Sequence, residues 1–315
     1  MKRRTWLSAA SSTLAVAACN TQQLFPSQVA CANQGSEVGW IDAHAHVWPR
    51  LNSDFPLSEG FTAKDVVPES FTPEELLQQA RPSFVQRVVL IQMSFFGFDN
   101  RYMLECIKRY PKYFRGVGIV DHDASGLRDT MTNLRKEGVR GYRLYANAKN
   151  VSQWGSSSGV NELFRICTET NQAACLLSDP DALPGIEAMI AKYPDTTVVI
   201  DHFSRIGMTG NVNRKDLEAL LKLSKYKNTY VKTSAFYALG EKKAPYKDLL
   251  PMIRSLRDSF GANRLMWASD CPYQVQAPHT YADSIALVLE HADFLSEGEK
   301  KSLLAQTAER VFFQD

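Results

Sequence analysis

Two rhythms of hydrophobic and polar residues alternate along most of this chain. From residue 38 onward, eight short runs rich in apolar and β-branched residues carry the pattern of strands: 39–46, 87–93, 114–120, 139–145, 173–178, 196–202, 229–234 and 264–269. Between them the apolar positions recur with helical spacing, at 73–79, 100–110, 125–136, 159–169, 184–192, 214–224, 246–260 and 281–291. The strands are evenly spaced, with one longer gap after the first. Strict β-then-α alternation predicts parallel strands covered by helices. Eight such units match a (β/α)8 TIM barrel in number and size, forming a single domain over residues 38–315. An open doubly wound sheet is the main rival, but it often begins with a glycine-rich GxGxxG turn, and the chain has none.

Barrel enzymes place their chemistry at the carboxyl ends of the strands, so the residues there matter most. Strand one ends Ile41-Asp42-Ala43-His44-Ala45-His46. Alternate strand residues share a face, so His44 and His46 project together, as two imidazoles able to bind one metal ion or as a chance surface pair. Strand six ends Ile200-Asp201-His202, and strand eight ends Ala268-Ser269-Asp270-Cys271-Pro272. A strand-terminal Asp often caps a turn, and a lone His is often structural. Here, however, three of only six histidines and one Asp fall at the ends of strands one, six and eight.

The set Ile-Asp-x-His-x-His, Ile-Asp-His and Ala-Ser-Asp-x-Pro resembles the amidohydrolase superfamily. Within it, the chain is similar to the amidohydrolase-related branch that contains sugar-lactone and dicarboxylate-lactone hydrolases. Supporting segments are Val88-Val89-Leu90-Ile91-Gln92, Arg115-Gly116-Val117-Gly118, Gly138-Val139-Arg140-Gly141-Tyr142-Arg143 and Val231-Lys232-Thr233-Ser234. The resemblance implies one divalent ion, Zn or Mn, bound by His44, His46 and Asp270, with His202 a fourth ligand or a catalytic partner. Many superfamily members carry a His at the end of strand five, where this chain has Ser178, and a bridging Lys or Glu on strand four, where it has Arg143 and Tyr145. A two-metal centre is therefore not expected. Some members of the branch work without metal, so occupancy stays open at this stage.

The implied reaction is hydrolysis of a small cyclic ester, with Asp270 as general base and then acid. Arg143, on an inward parity with Gly141, suits an anionic or carboxylated substrate, unless it serves an internal ion pair with Asp42 or Asp179. Gln92, Lys232 and Trp48 are further candidates for substrate contact. The segments 47–70 and 146–158 are candidate walls of the pocket, and His122 and His279 candidate rim residues. Two other readings are carried: a metal-dependent decarboxylase of aromatic or muconate-like acids, against which Ser178 stands, and a non-catalytic envelope binding protein, against which the complete set of four polar positions stands.

Composition narrows the class further. Of 315 residues, 44% are hydrophobic and 22% charged, which excludes a disordered or low-complexity chain. No basic stripe accompanies an aromatic platform, so a nucleic-acid partner is not expected. Residues 1–18 read as an export signal: Lys2-Arg3-Arg4 followed by a short apolar stretch ending Val16-Ala17-Ala18-Cys19. That ending resembles a lipobox, with Cys19 as the lipid attachment site, and the arginine pair resembles a twin-arginine signal. Lys2, Arg3 and Arg4 exceed the +2 net charge, so the remainder is slightly acidic. Residues 19–37 read as a tether, and the expected location is periplasmic or on the cell envelope, with the membrane reached through the lipid alone. The six cysteines form no CxxC, and Cys106, Cys167 and Cys175 are expected as buried free thiols. Cys19→Ser should release the protein from the membrane fraction; unchanged fractionation of the variant would refute the anchor.

Overall fold

Each strand run is apolar enough to be buried on both faces, as parallel strands must be. In a computed structural model of the chain, which describes residues 39–314, these runs form one eight-stranded parallel sheet in chain order. The strands are β1 Trp40–Ala45, β2 Val85–Ile91, β3 Phe114–Gly118, β4 Val139–Ala146, β5 Ala173–Ser178, β6 Val198–Ile200, β7 Thr229–Thr233 and β8 Leu265–Trp267. The expected export signal, Cys19 and the whole of the tether lie outside the described residues. Among the described residues, no helix is long and apolar enough to cross a membrane.

The helices form an outer layer: α1 Pro73–Ala80, α2 Arg101–Arg109, α3 Leu127–Lys136, α4 Ala148–Trp154, α5 Ser158–Glu169, α6 Leu183–Lys192, α7 Arg214–Lys222, α8 Leu250–Phe260, α9 Tyr281–Leu289 and α10 Glu297–Lys301. Their starts follow from local chemistry. At α1, Thr72 accepts from the Glu75 amide, Glu75 reaches back to the Thr72 amide, and Pro73 fills the first helical position. Segment 146–158, expected as a loop, instead contains α4, capped reciprocally by Asn147 and Asn150. The chain end was not anticipated as structure. After α10 it continues through π-helical stretches Ser302–Gln306 and Glu309–Phe313. Phe312 is fully buried there, in the lumen cluster with Ile41, Val89, Val199 and Met266. It plugs the amino-terminal end of the barrel, leaving the other end for chemistry. Cys106, Cys167, Cys175 and Cys271 are all buried and free.

Every neighbouring pair from β1–β2 to β7–β8 forms a ladder, but β8 and β1 meet only at one bridge, Ala45 to Cys271. The seam is closed largely by one carboxylate. Asp42 Oδ1 accepts from the Ser269 amide (2.9 Å) and the His44 amide (3.0 Å). Its Oδ2 accepts from the Ser269 hydroxyl (2.5 Å) and the Tyr281 hydroxyl (2.8 Å). Two backbone bonds complete the join, Asp270 N to His44 O (2.8 Å) and His46 N to Cys271 O (2.7 Å). Asp42→Ala strands several buried donors and should lower the unfolding free energy by at least about 3 kcal/mol. Urea denaturation measures this, and a loss well below about 1 kcal/mol would show that the seam does not depend on Asp42.

Candidate active site

β1, β6 and β8 end together at the open mouth, and their terminal side chains meet. His44 Nε2, His46 Nε2 and His202 Nε2 lie 3.4, 3.1 and 3.7 Å from Asp270 Oδ1. His44 is fully buried and the other three nearly so. The turns that deliver them are unusual. Asp270 has φ of 65°, and His202, Phe203, Ser204 and Arg205 form a left-handed turn with φ of 51–56°. Such residues cost about 1–3 kcal/mol each and persist where packing overdetermines them.

A cavity of about 320 Å³ opens above this cluster, within the usual size of a small-molecule site. His46, His202, Asp270 and Arg143 line it, with Tyr237 and Tyr273 on one side. Met93, Leu177, Met208 and Leu239 supply apolar wall, and Arg205 stands at its edge, bonded to Asp179 and to the Tyr145 hydroxyl. Among the described residues lining the cavity, none comes from 47–70 or from α4. Trp48 is fully buried one layer away, its indole donating to Pro68 O (2.9 Å) and its ring 6.2 Å from Tyr273. Gln92 is buried and donates to Asp99 O (2.7 Å). His279 packs behind Tyr237, and His122 lies beside Asp123.

Arg143 reaches the cavity, and its internal partner is neither Asp42 nor Asp179. Asp42 is engaged at the barrel seam and Asp179 by Arg205, whereas Arg143 lies 3.5 Å from Asp201 Oδ2 and 3.0 Å from His44 Nε2. Lys232 lies deeper than expected of a substrate contact. Its fully buried ammonium is 3.0 Å from Asp201 Oδ1, 3.3 Å from His44 Nδ1 and 5.4 Å above the Phe312 ring. The main residues that sequence reading missed are Asp201 and Tyr237. Asp201 stands beside His202 in the Ile-Asp-His motif, which by itself assigns it no role. Tyr237 lies in an irregular turn beyond β7, where no periodic signal exists.

The donor set fits a divalent cation. Ile91 O can only accept, so its 2.8 Å contact places a proton on His46 Nδ1. In a neutral ring, Nε2 is then bare, yet it faces a carboxylate oxygen at 3.1 Å. Two electron-rich atoms so close need a proton or a metal cation between them. The 3.4 and 3.1 Å separations of His44 and His46 from Asp270 are near the spacing of about 3.4 Å expected between ligands of a tetrahedral ion with bonds near 2.1 Å. Ligand atoms of His44, His46 and Asp270 all lie within 4.8 Å of one another, as do those of His44, Asp201 and His202. His44 Nε2 is shared with Arg143, so its entry as a ligand requires the guanidinium to turn away.

A family model described as amidohydrolase matches residues 41–314. The chain belongs to the amidohydrolase family. An L-fucono-1,5-lactonase of Burkholderia ambifaria is 27% identical over 76% of this chain and 82% of its own length. A 4-sulfomuconolactone hydrolase of Rhizobium radiobacter is also 27% identical, over 75% and 76%. In structure, an amidohydrolase of Burkholderia multivorans crystallised with bound zinc superposes with a TM-score of 0.77, covering 88% of this chain and 100% of that one at 20% identity. That last likeness carries the fold.

Electrostatics in this amidohydrolase favour the neutral form of His44 and His202. Burial, then the Lys232 charge, pushes His44 well below the ordinary histidine value; burial also lowers His202. Neutral rings are what metal ligation requires. Burial alone would raise the Asp270 carboxyl, but the three imidazoles hold it below the usual carboxylate range. Burial opposes the Asp201 carboxylate too, and Lys232, His44 and Arg143 together outweigh it, leaving Asp201 well below that range. The stability from this ion cluster is therefore full above about pH 4 and lost only as pH falls through the depressed folded value. Lys232→Met leaves a buried carboxylate short of a partner and should cost about 3–5 kcal/mol at pH 7. It should also move the acid loss of stability to higher pH. Urea unfolding across pH 3–7 checks both, and a variant as stable as wild type would refute the role given to the pair.

Proposed function

We propose that this chain hydrolyses a small lactone carrying a carboxylate or another anionic group, at a site that takes one divalent ion, Zn or Mn. The observation that carries this reading is the convergence of three imidazole Nε2 atoms on Asp270 Oδ1, beneath a cavity lined by the Arg143 guanidinium. The lactonase and lactone-hydrolase relatives, matched along three quarters of the chain, support a cyclic ester over other amidohydrolase substrates. With an export signal and a lipid on Cys19, the enzyme would act at the cell envelope.

His46 and Asp270 would hold the ion, joined by His44 once Arg143 moves aside. When bound, it supplies Lewis-acid polarisation of the ester carbonyl and lowers the pKa of water. Asp270 takes a proton from the attacking water through Oδ1 and returns it to the ring oxygen as the ester C–O bond breaks. His202 is backed at Nδ1 by the Ser234 hydroxyl (2.8 Å); with that hydroxyl donating, Nε2 bears the proton and faces the developing oxyanion. Arg143 binds the substrate's anionic group, and its planar fork suits a carboxylate. The product is a hydroxy acid, so each turnover releases a proton at neutral pH.

Purified protein supplied with Zn²⁺ or Mn²⁺ should release acid from a lactone panel that includes L-fucono-1,5-lactone and 4-sulfomuconolactone, and prefer anionic members. Asp270→Asn should lower kcat/KM by about 10²–10⁴-fold. Absence of acid release from every lactone, or full activity in Asp270→Asn, would overturn the reading.

A further inference from the structure

The geometry points to Tyr237 as a positioning residue that decides which oxygen of Asp270 serves the reaction. Asp270 Oδ1 faces the three imidazoles, while Oδ2 accepts a 2.7 Å hydrogen bond from the Tyr237 hydroxyl. A carboxylate at the end of one short side chain can swing its two oxygens about the Cβ–Cγ bond, and a donor on Oδ2 removes that freedom. The direction of this bond is fixed, because an ionised carboxylate only accepts. The hydroxyl proton is thus committed to Asp270, and Tyr237 is not itself a proton donor to the leaving group.

The local structure is built to hold this ring. Ala235, with φ of 56°, turns the chain out of β7 into a short 3₁₀ turn, Phe236–Ala238, that carries Tyr237 across to β8. The ring stacks on Tyr273, with centroids 6.3 Å apart and planes at 27°. Behind it lies His279 at 6.1 Å, itself fixed by a 2.9 Å contact with the Tyr246 hydroxyl, to which Gln274 donates. Two successive shells of hydrogen bonds and ring packing therefore stand behind one carboxylate oxygen. Groups that orient a ligand in this way commonly contribute 10–100-fold to metal affinity or activity.

This role rests on the proposed divalent-ion and lactone site, and the test separates the two. Tyr237→Phe keeps the ring and its stacking and removes only the hydroxyl. Wild-type and variant protein, both stripped with chelator, are titrated with Zn²⁺ against a chromophoric competitor, and lactone kinetics are measured alongside. The variant should bind Zn²⁺ about 10–100-fold more weakly and lose a similar factor in kcat. Its KM and the melting temperature of its metal-free form should stay those of wild type. Unchanged Zn²⁺ affinity and kcat overturn the role, as does a rise in KM at constant kcat, which would make Tyr237 a substrate contact. Failure of wild-type protein to bind Zn²⁺ overturns the site reading itself and the role with it.

Discussion

The Asp42 carboxylate is the constraint on which the site depends. Seven of the eight strand junctions are parallel ladders, with register shifts only in β1–β2 and β3–β4. At the eighth, where the first and last strands meet, a single bridge stands in for a ladder, and Asp42 gathers donors from β1, from Ser269 just beyond β8 and from α9 onto its two oxygens. Asp42 precedes His44 by two residues, and Ser269 immediately precedes Asp270. Closing the barrel and bringing the histidines to the aspartate are therefore one physical event.

Beneath the site lies a second layer of charge. Lys232, Asp201 and Arg143 fill the lumen around His44, above the apolar plug made by Phe312. Buried charges are costly unless paired, and here each has a partner of opposite sign within 3.5 Å. Burial and then the Lys232 charge hold His44 well below the ordinary histidine value, and contacts at both nitrogens orient the ring. Arg143 links the layers: one guanidinium meets the internal carboxylate, the imidazole and the cavity.

Rigidity at the mouth has a local origin. Strands six, seven and eight all pass into left-handed backbone, at His202, Ala235 and Asp270, where glycine would be the easier residue. Each turn re-aims a functional side chain at the same point, and each is held by buried neighbours such as Phe203 and Phe236. The apolar part of the cavity wall, by contrast, is supplied by Met93, Leu177, Met208 and Leu239.

The eight strands, most of the covering helices and the four converging residues were legible in the linear pattern. Alternation and helical spacing report which faces are buried, and strand ends in a parallel barrel all point the same way. His44, His46, His202 and Asp270 are found by that rule alone. Burial and pairing are different, because they depend on which side chains the fold brings into one volume. Lys232 and Gln92 have the polarity of substrate contacts, yet tertiary structure draws their polar groups toward Asp201 and the Asp99 carbonyl. Trp48 sits next to the His-x-His motif in sequence but faces Pro68 and Phe95 in space. Asp201 and Tyr237 became functional candidates only through distances to residues far along the chain, since a local sequence window carries no record of a neighbour thirty or a hundred positions away.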